Sequence, residues 1–350
     1  MIRKNVITSL GLAASIALTA PVALAQDIHF TQFDAAPLVI NPAFTGMFDG
    51  QVRAAAIYRN QWASVTVPYV TYGASVDMPL YIDRNGDYLA GGLQLYKDQA
   101  GDGNLSNFTG LLSVAYHKTF GVSETRHSDL AVGLQGGYAQ TSIDLSKLYF
   151  GDEYLNGTFV PGTSQEYHLG LGNSVNYYLV NAGVSFSQAT SEKFGYVIGV
   201  AANNINQPNN DIEQKASNTD LLAMRYTGEL GANWLVGERL SLRPAVLYQS
   251  QATANEIVAG NEFHYQVGEP GYQDFSTAVF LGGWYRTGDA VAITAGVEFK
   301  GFRIGVAYDY NVSSLNAASN GNGGIEIAIK YIAPTPLKFA NKRTIPCSRF

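Results

Sequence analysis

The sequence has few charges, a single cysteine and no long apolar run in its main part. Charged residues make up 14% of the 350 residues, which argues against disorder and against a coiled coil, since both need high charge. Beyond residue 25 no stretch of about 18 consecutive apolar residues occurs, so a transmembrane helix is excluded there. Cys347 is the only cysteine, so an exported chain would have no internal disulfide. The net charge of −6 offers no basic surface for nucleic acid.

The first 25 residues have the features of a secretory signal peptide. Arg3 and Lys4 form a positive start, residues 6–18 are mostly apolar, and the segment ends in a small-x-small pattern at Ala25. Cleavage there makes Gln26 the first residue of the exported protein. A short buried helix is the alternative, but the order of the three features favours the signal peptide.

From residue 51 onward, apolar and polar side chains alternate with a period of two, which is typical of strands. Fourteen segments show this pattern, and most have the 9–11 residues that a tilted strand needs to cross a bilayer. They lie near residues 51–60, 69–79, 88–98, 107–119, 129–140, 174–187, 194–203, 221–236, 239–250, 255–266, 276–286, 290–300, 302–310 and 322–331. Because lipid gives backbone groups no partner, strands can cross it only as a closed barrel.

The placement of the charges distinguishes a membrane barrel from a soluble sandwich. The apolar face of the fourteen segments has no charge away from the strand ends, where a Lys or Arg facing lipid would cost about 2–4 kcal/mol at the membrane centre. The opposite face has twelve charges, namely Arg53, Arg59, Arg225, Arg243, Arg303, Lys330, Asp77, Glu229, Glu262, Glu298, Asp309 and Glu326. The sequence therefore predicts an all-β protein, a transmembrane antiparallel up-and-down barrel of about 14 strands over residues 51–332, with these charges in the lumen.

The balance of charge also predicts what the lumen is like. The twelve charges comprise six of each sign, and small residues accompany them on the same face, among them Gly133, Gly137, Gly183, Gly199 and Gly283. Paired charges and small side chains indicate a filled or narrow barrel. We therefore expect poor conductance to solutes.

Aromatic residues and loop lengths indicate how the barrel lies in the membrane. Ten aromatic residues near the ends of outward faces fit girdles at the two interfaces. They are Tyr58, Tyr116, Tyr138, Tyr178, Trp234, Tyr248, Tyr265, Trp284, Phe299 and Tyr331. The longest connections, near residues 141–173, 204–220 and 311–321, share one end, which predicts long extracellular loops and short periplasmic turns.

Two residues fit the strand pattern less well, and the register near residues 255–275 stays open. Pro244 removes a ladder donor from a strand interior, and Asn261 places an amide on the outward face. We expect a bulge or a position near the rim for each.

Short motifs follow one another in a fixed order along the chain. Residues 26–33 begin the series, and its principal positions are Asn41, Pro42, Arg59, Gln61, Trp62, Trp284, Tyr285, Arg286, Asp309, Asn311 and Ser313. The chain then ends in residues 346–350. In this order the motifs resemble the PorP/SprF family of outer-membrane proteins of the type IX secretion system. Ser348 departs from the family pattern, which has proline at that position.

The resemblance implies a non-enzymatic protein of the outer membrane of a Gram-negative bacterium. Members of the family associate with the periplasmic ring and with peptidoglycan-linked parts of the secretion and gliding motility apparatus. Several hold a secreted adhesin or filament at the surface. We therefore expect an anchor for a secreted adhesin or the C-terminal domain of another substrate, in contact with outer-membrane lipid. The alternative is an outer-membrane porin or a transporter of small hydrophobic solutes.

Catalytic chemistry has little support in the sequence. The five histidines lack metal-ligand spacing and have no thiol near them. No nucleophile elbow or phosphate loop occurs. We expect no catalytic residue, no metal and no cofactor, so an outer-membrane hydrolase is the least favoured class.

Three parts outside the strands are candidates for partner contact. Residues 26–50 are either a lumen plug, a periplasmic segment or a simple lead-in to the first strand. The tail 333–350 is basic, which suits an acidic periplasmic partner, although a solvated tail is the commoner explanation. The connection 141–173 is aromatic for an exposed loop and is our candidate for binding a secreted protein. The individual candidates are Tyr149, Phe150, Tyr154 and Phe159 in this loop and Lys338, Lys342, Arg343 and Arg349 in the tail.

Overall fold

The computed structural model of the chain describes residues 28–65, 67–121, 126–155, 157–168, 173–212, 221–267 and 277–334. Within these residues, fourteen antiparallel strands form one closed barrel, and a two-stranded hairpin stands apart from it. The predicted signal peptide and the tail candidates Lys338, Lys342, Arg343 and Arg349 lie outside the described residues. In the described part of the chain, no helix has both the length and the apolar character needed to span a membrane.

The strands follow one another around the barrel in sequence order. They are β1 (Val52–Gln61), β2 (Tyr69–Ile82), β3 (Tyr88–Ala100), β4 (Leu105–Phe120), β5 (His127–Ser142), the hairpin β6 (Tyr154–Leu155) and β7 (Thr158–Phe159), β8 (Ser174–Ser191), β9 (Phe194–Asn203), β10 (Arg225–Leu235), β11 (Leu240–Gln251), β12 (Ala254–Gln266), β13 (Ala278–Arg286), β14 (Ala290–Phe299), β15 (Phe302–Asn311) and β16 (Asn322–Ala333). Pairing of β1 with β16 closes the cylinder and leaves no sheet edge. Each predicted segment overlaps one barrel strand, so the predicted barrel class and strand number are confirmed.

Side chains alternate between the exterior and the lumen along each strand. In β5, Leu130, Val132 and Leu134 are 40%, 51% and 61% exposed, whereas Ala131 and Gln135 on the opposite face are buried. The twelve charges singled out from the sequence occupy the lumen-facing positions of their strands. An apolar exterior around a polar interior is the arrangement that a bilayer requires.

A ring of tyrosine–asparagine pairs surrounds one end of the exterior. We call this end, where β1 finishes and β2 begins, the mouth, and the opposite end the base. Four outward tyrosines near the mouth each bond an outward asparagine at 2.7–3.2 Å. The pairs are Tyr58–Asn60, Tyr138–Asn176, Tyr248–Asn255 and Tyr308–Asn322. Their rings sit beside apolar wall and their polar atoms point to the rim, as an interfacial girdle demands.

The predicted faces of two residues in β13 are wrong. Trp284 is buried in the lumen and not in the girdle: its ring meets Phe33 edge-on at 5.2 Å, and its Nε1–H donates to the Thr294 hydroxyl at 3.2 Å. Gly283 faces outward instead of into the lumen. The error arises because residues 279–281 are apolar on both faces, so alternation alone could not distinguish the two sides.

A bulge or a position near the rim was expected for Pro244 and Asn261; neither residue has a bulge, and Pro244 lies four residues from the start of β11. Strands β11 and β12 pair without a shift over their whole length, and neither residue lies at a strand end. Pro244 instead affects the other ladder, where pairing of β10 with β11 stops after Gly231–Ala245 and resumes at Trp234–Leu242. Proline has no N–H to donate, which accounts for the interruption on that side.

The N-terminal segment occupies the interior of the barrel. Residues 28–50 form three short helical turns, Phe33–Ala35, Pro37–Ile40 and Pro42–Phe44, and most of their side chains are buried. Phe33, Ile40, Phe44 and Met47 pack with inward wall residues into one apolar cluster, and Phe30 joins a second. Of the positions that the sequence left open for this segment, the structure has the lumen plug.

Candidate functional site in the barrel lumen

The plug, residues 28–50, runs from the mouth to the base of the barrel. Near the mouth, Arg225 at the start of β10 donates to the Ile28 carbonyl at 3.4 Å. Near the base, the His117 ring lies 2.8 Å from the Thr45 carbonyl. The N–H of Gln51 then donates to Ala333 at the end of β16, which leads the chain into β1. The plug therefore obstructs the lumen along its length.

Four charged wall residues hold the first part of the plug, and we call Arg59, Arg286, Asp309 and Glu326 the mouth clamp. Glu326 accepts the N–H of Thr31 at 2.7 Å and the N–H of the next residue at 2.9 Å. The Thr31 hydroxyl donates to Asp309 at 2.8 Å and accepts from Arg286 at 2.7 Å. Arg59 bonds both carboxylates of the clamp, and Arg286 lies 3.1 Å from Asp309.

All four clamp side chains are at most 4% exposed. Removing one partner of such a buried pair typically costs about 3–5 kcal/mol, because the other charge is left uncompensated. The clamp therefore opposes any displacement of Thr31 from the wall.

Asn41 fixes the middle of the plug to the wall. Its amide nitrogen lies 2.7 Å from Glu229 and within 3.2–3.3 Å of the carbonyls of Val184 and Val200. Its amide oxygen accepts the N–H two residues further on at 2.9 Å. This side chain therefore ties together three neighbouring strands, β8, β9 and β10, and one turn of the plug.

Glycines in the wall make room for these contacts. A Cβ atom on Gly183 would overlap the amide oxygen of Asn41, and one on Gly133 would overlap the backbone between Pro42 and Ala43. A Cβ on Gly199 would likewise overlap the Glu229 carboxylate. Glycine is used here because the plug backbone and the wall approach too closely for any side chain.

A second ion pair holds the plug close to the base. Arg53 donates two hydrogen bonds to Asp77 at 2.8–2.9 Å and a third to the Phe44 carbonyl at 2.9 Å. Asp77 in turn accepts the Gly46 N–H at 2.6 Å. His117 spans from Asp129 at 2.9 Å to the Thr45 carbonyl, and so adds another wall contact to the same turn.

The remaining lumen charges form a network between the plug and strands β11 to β16. Arg303 bonds Glu262 at 2.6 Å, Glu298 at 2.7 Å and Asp34 of the plug at 3.2 Å. Lys330 donates to the Asp34 carbonyl at 3.2 Å. Arg243 and His264 join the network through Glu298, at 3.5 and 2.8 Å. Opposite charges are thus paired across the lumen and do not line an open water channel.

The motif positions fall into three places in the structure. Asn41, Pro42, Arg59, Trp284, Arg286 and Asp309 lie in the plug or contact it. A second group lies at the mouth. Asn311 bonds Ser313 and Ser319, and the backbone N–H of Trp62 donates to the Gly323 carbonyl. Gln61 is the last residue of β1. Tyr285 faces outward and is 49% exposed.

Several residues that join the plug to the wall could not be singled out from the sequence. Thr31 and Asp34 lie in a segment without strand periodicity, and His117 was one of five histidines without metal-ligand spacing. Arg286 was identified from the sequence only as a motif position. Its closeness to a strand end concealed its place in the lumen, but a basic residue following an aromatic pair was a usable signal.

The loop after β5 presents a small aromatic cluster outside the barrel. Tyr149, Tyr154 and Phe159 are 74%, 56% and 50% exposed, and the Phe159 ring contacts the rings of Tyr149 and Tyr154 at 5.7 and 5.1 Å between centroids. Phe150 differs, because its ring packs edge-on against Tyr167 and is partly buried. Tyr149 and the two hairpin residues Tyr154 and Phe159 therefore make a preformed aromatic contact surface.

Two acidic side chains, one buried and one exposed, organise this loop. Glu153 is fully buried and accepts the N–H groups of Phe150 and Gly162 at 3.0 and 2.7 Å. A hydrogen bond from the Gln165 N–H, aided by one from Ser164, lowers the pKa of Asp152 below its ordinary value. Within the described residues, no group of three or more His, Cys, Asp or Glu side chains is arranged to hold a metal ion.

Comparison with known proteins identifies the family. The family described as type IX secretion system membrane protein PorP/SprF matches residues 22–331, which is most of the chain. The chain belongs to the PorP/SprF family. The resemblance seen in its motifs is thereby confirmed, and the plugged barrel is the structure of a PorP/SprF protein. No curated protein gives a significant match.

Solved structures resemble the chain only in general architecture. The toluene transporter TbuX of Ralstonia pickettii is 11% identical, with a TM-score of 0.47 over 85% of this chain and 92% of that one. The toluene transporter TodX of Pseudomonas putida is 11% identical, with a TM-score of 0.43 over 87% and 94%. CdiB from Escherichia coli is 8% identical, with a TM-score of 0.45 over 79% and 63%. Likeness at this level gives no support for transport by the present chain.

Proposed function

We propose that this PorP/SprF protein is a plugged outer-membrane barrel that anchors a secreted adhesin or other substrate at the cell surface and performs no catalysis. The observation that supports it most is the plug. Residues 28–50 fill the lumen from mouth to base and are bonded to the wall at the mouth clamp, at Glu229 and at Asp77. A barrel built in this way serves as a rigid platform in the membrane.

The same observation disfavours the porin and the hydrophobic-solute transporter. A diffusion path requires a continuous lumen, but here the wall carboxylates are bonded to backbone N–H groups of the plug. Moving the plug aside would leave these buried groups unpaired, at a cost of about 1–3 kcal/mol for each group. Several such groups would have to be released together.

The aromatic cluster Tyr149, Tyr154 and Phe159 is the proposed contact for the secreted substrate. Exposed aromatic side chains are frequent energetic anchors of protein interfaces. The loop that holds them lies at the mouth, the end with the longest connections, which in bacterial outer-membrane barrels is the extracellular end.

The proposed link to the periplasmic secretion ring or to a peptidoglycan-linked protein starts from the opposite end. Strand β16 ends at Ala333, beside Val52 at the base. The following tail is basic in an overall acidic chain, which suits an acidic partner. Deleting residues 335–350 is expected to abolish co-purification of periplasmic partners while the barrel remains in the membrane. Unchanged co-purification would exclude this role for the tail.

The anchoring role is tested with a triple variant of the aromatic cluster. Changing Tyr149, Tyr154 and Phe159 to Ser is expected to reduce the secreted proteins retained on the cell surface, and co-purified from outer membranes in mild detergent, by about tenfold or more. The matched control changes Val65, Ile205 and Leu221, exposed apolar residues of other mouth loops, to Ser. Equal retention by both variants would contradict the proposed contact.

The plugged state is tested by conductance in a planar bilayer. The intact protein is expected to give only small or rare currents, and a variant lacking residues 28–50 is expected to give large steady ones. Large steady currents from the intact protein would contradict the proposal and support a porin.

A further inference from the structure

Outward amide side chains in the barrel follow a simple rule of position. Each of seven Asn and Gln residues on the exterior lies within four residues of a strand end and has a hydrogen-bond partner. They are Asn60, Gln99, Gln140, Asn176, Gln188, Asn255 and Asn322. An amide at the rim can also reach water or lipid headgroups, so its exposure there is tolerated.

Asn261 breaks this rule. It lies on the outward face of β12 between exposed Ile257 and Phe263, five residues before the strand ends and seven after it begins. At about 3.3 Å per residue and a tilt of about 40°, this places it about 13 Å from one strand end and about 18 Å from the other. In the part of the chain that the structure describes, no group bonds to its side chain. An unpaired amide therefore faces the hydrocarbon part of the bilayer, where it is unfavourable.

The wall around Asn261 is low, because the residues that flank it have small side chains. Its direct neighbours on the two adjacent strands are Pro244 and Gly283, and both are exposed outward. Ala259 lies two residues along the same strand. A partner backbone can therefore approach the Asn261 amide closely here, whereas large Leu, Val and Tyr side chains over much of the exterior would hold it away.

We propose that Asn261 marks the centre of an interface with a second copy of this chain in the membrane, with the two Asn261 amides bonded to each other across a two-fold axis. A carboxamide has both a donor and an acceptor, so two copies satisfy each other without a different partner. A two-fold interface brings the same residue of both copies together at its axis. Two convex barrel walls touch only along a narrow strip, and the low wall at Pro244 and Gly283 permits that contact at Asn261.

Disulfide trapping in outer membranes tests this interface directly. In a Cys347→Ser background, which removes the native thiol, the Asn261→Cys variant is expected to form a covalent dimer on oxidation. The matched control is Leu134→Cys on β5, which is 61% exposed and lies on another part of the wall. At least about tenfold more dimer is expected from Asn261→Cys. Equal trapping at both sites reflects random collision and would overturn the proposal, as would trapping of a different protein at Asn261→Cys.

The mass of the full chain in mild detergent provides a second measurement. The native protein is expected to contain a two-copy species, and the Asn261→Leu variant is expected to be monomeric. Because leucine suits a lipid-facing position, the variant should reach the outer membrane in normal amount and keep the heat-dependent gel mobility of a folded barrel. A native protein that is monomeric in detergent and untrapped in membranes would refute the second copy, as would a variant that remains dimeric.

Discussion

Glu326 offers the sharpest test of the lumen plug, because one carboxylate binds two plug N–H groups and Arg59. Replacing it with Gln removes the charge that Arg59 faces in a buried site and weakens both N–H contacts. Breaking a buried ion pair from one side costs about 3–5 kcal/mol. If the plug is the element that yields, this energy raises the population of the detached plug about a hundredfold to several thousandfold.

Hydrogen exchange at the amides of Thr31 and Gln32 measures that population. In the native protein these N–H groups are buried and bonded, so they exchange only when the plug leaves the wall or the barrel unfolds. The Glu326→Gln variant is expected to exchange them at least about a hundredfold faster, while amides of β5 stay protected. The matched control, Glu238→Gln, changes an exposed turn residue and should alter neither set. Exchange within about threefold of the native rate would show that Glu326 does not hold the plug.

Further predictions concern the plug wall and the mouth loop. Trp284→Ala removes the edge contact with Phe33 and is expected to lower the free energy of unfolding by about 3–5 kcal/mol, whereas Trp234→Ala on the exterior should change it far less when urea unfolding is compared. Gly183→Ala is expected to loosen the plug, because the added Cβ overlaps Asn41, and faster exchange of the plug amides would show this. The lowered pKa of Asp152 means that its bond to the Gln165 N–H stabilises the loop at neutral pH. This stability should be lost only as the pH falls below the ordinary value of 3.8 through the lower pKa of the folded loop, and protection of the Gln165 amide between pH 7 and 2 measures it.

The strands were predictable because lipid imposes one rule on all of them. Away from the strand ends, and with Asn261 as the exception, outward side chains are apolar, so the two-residue period survives even where the inward residues vary. Val132 and Ile293 follow this rule in distant strands and are 51% and 59% exposed. The lumen charges followed from the same rule, since a charge in a spanning strand has only the interior available to it.

The plug was not predictable in the same way, because its contacts are long-range and lack a period. Thr31 and Glu326 are separated by 295 positions in the chain. Once the plug supplies an apolar surface inside the barrel, inward positions can also be apolar, as Phe280 and Trp284 are. The pattern then loses its contrast, which is why the faces of β13 were misassigned.

The path of residues 28–50 also constrains how the molecule is assembled. The chain passes directly from the plug into β1. Strand β1 pairs with β2 on one side and with the final strand, β16, on the other. A continuous hydrogen-bonded wall cannot admit a folded segment sideways. The plug must therefore enter before the first and last strands pair, or it must insert through an open end of the closed barrel. In the first case, pairing of β1 with β16, near Val52 and Ala333, would be the step that encloses the plug in the barrel.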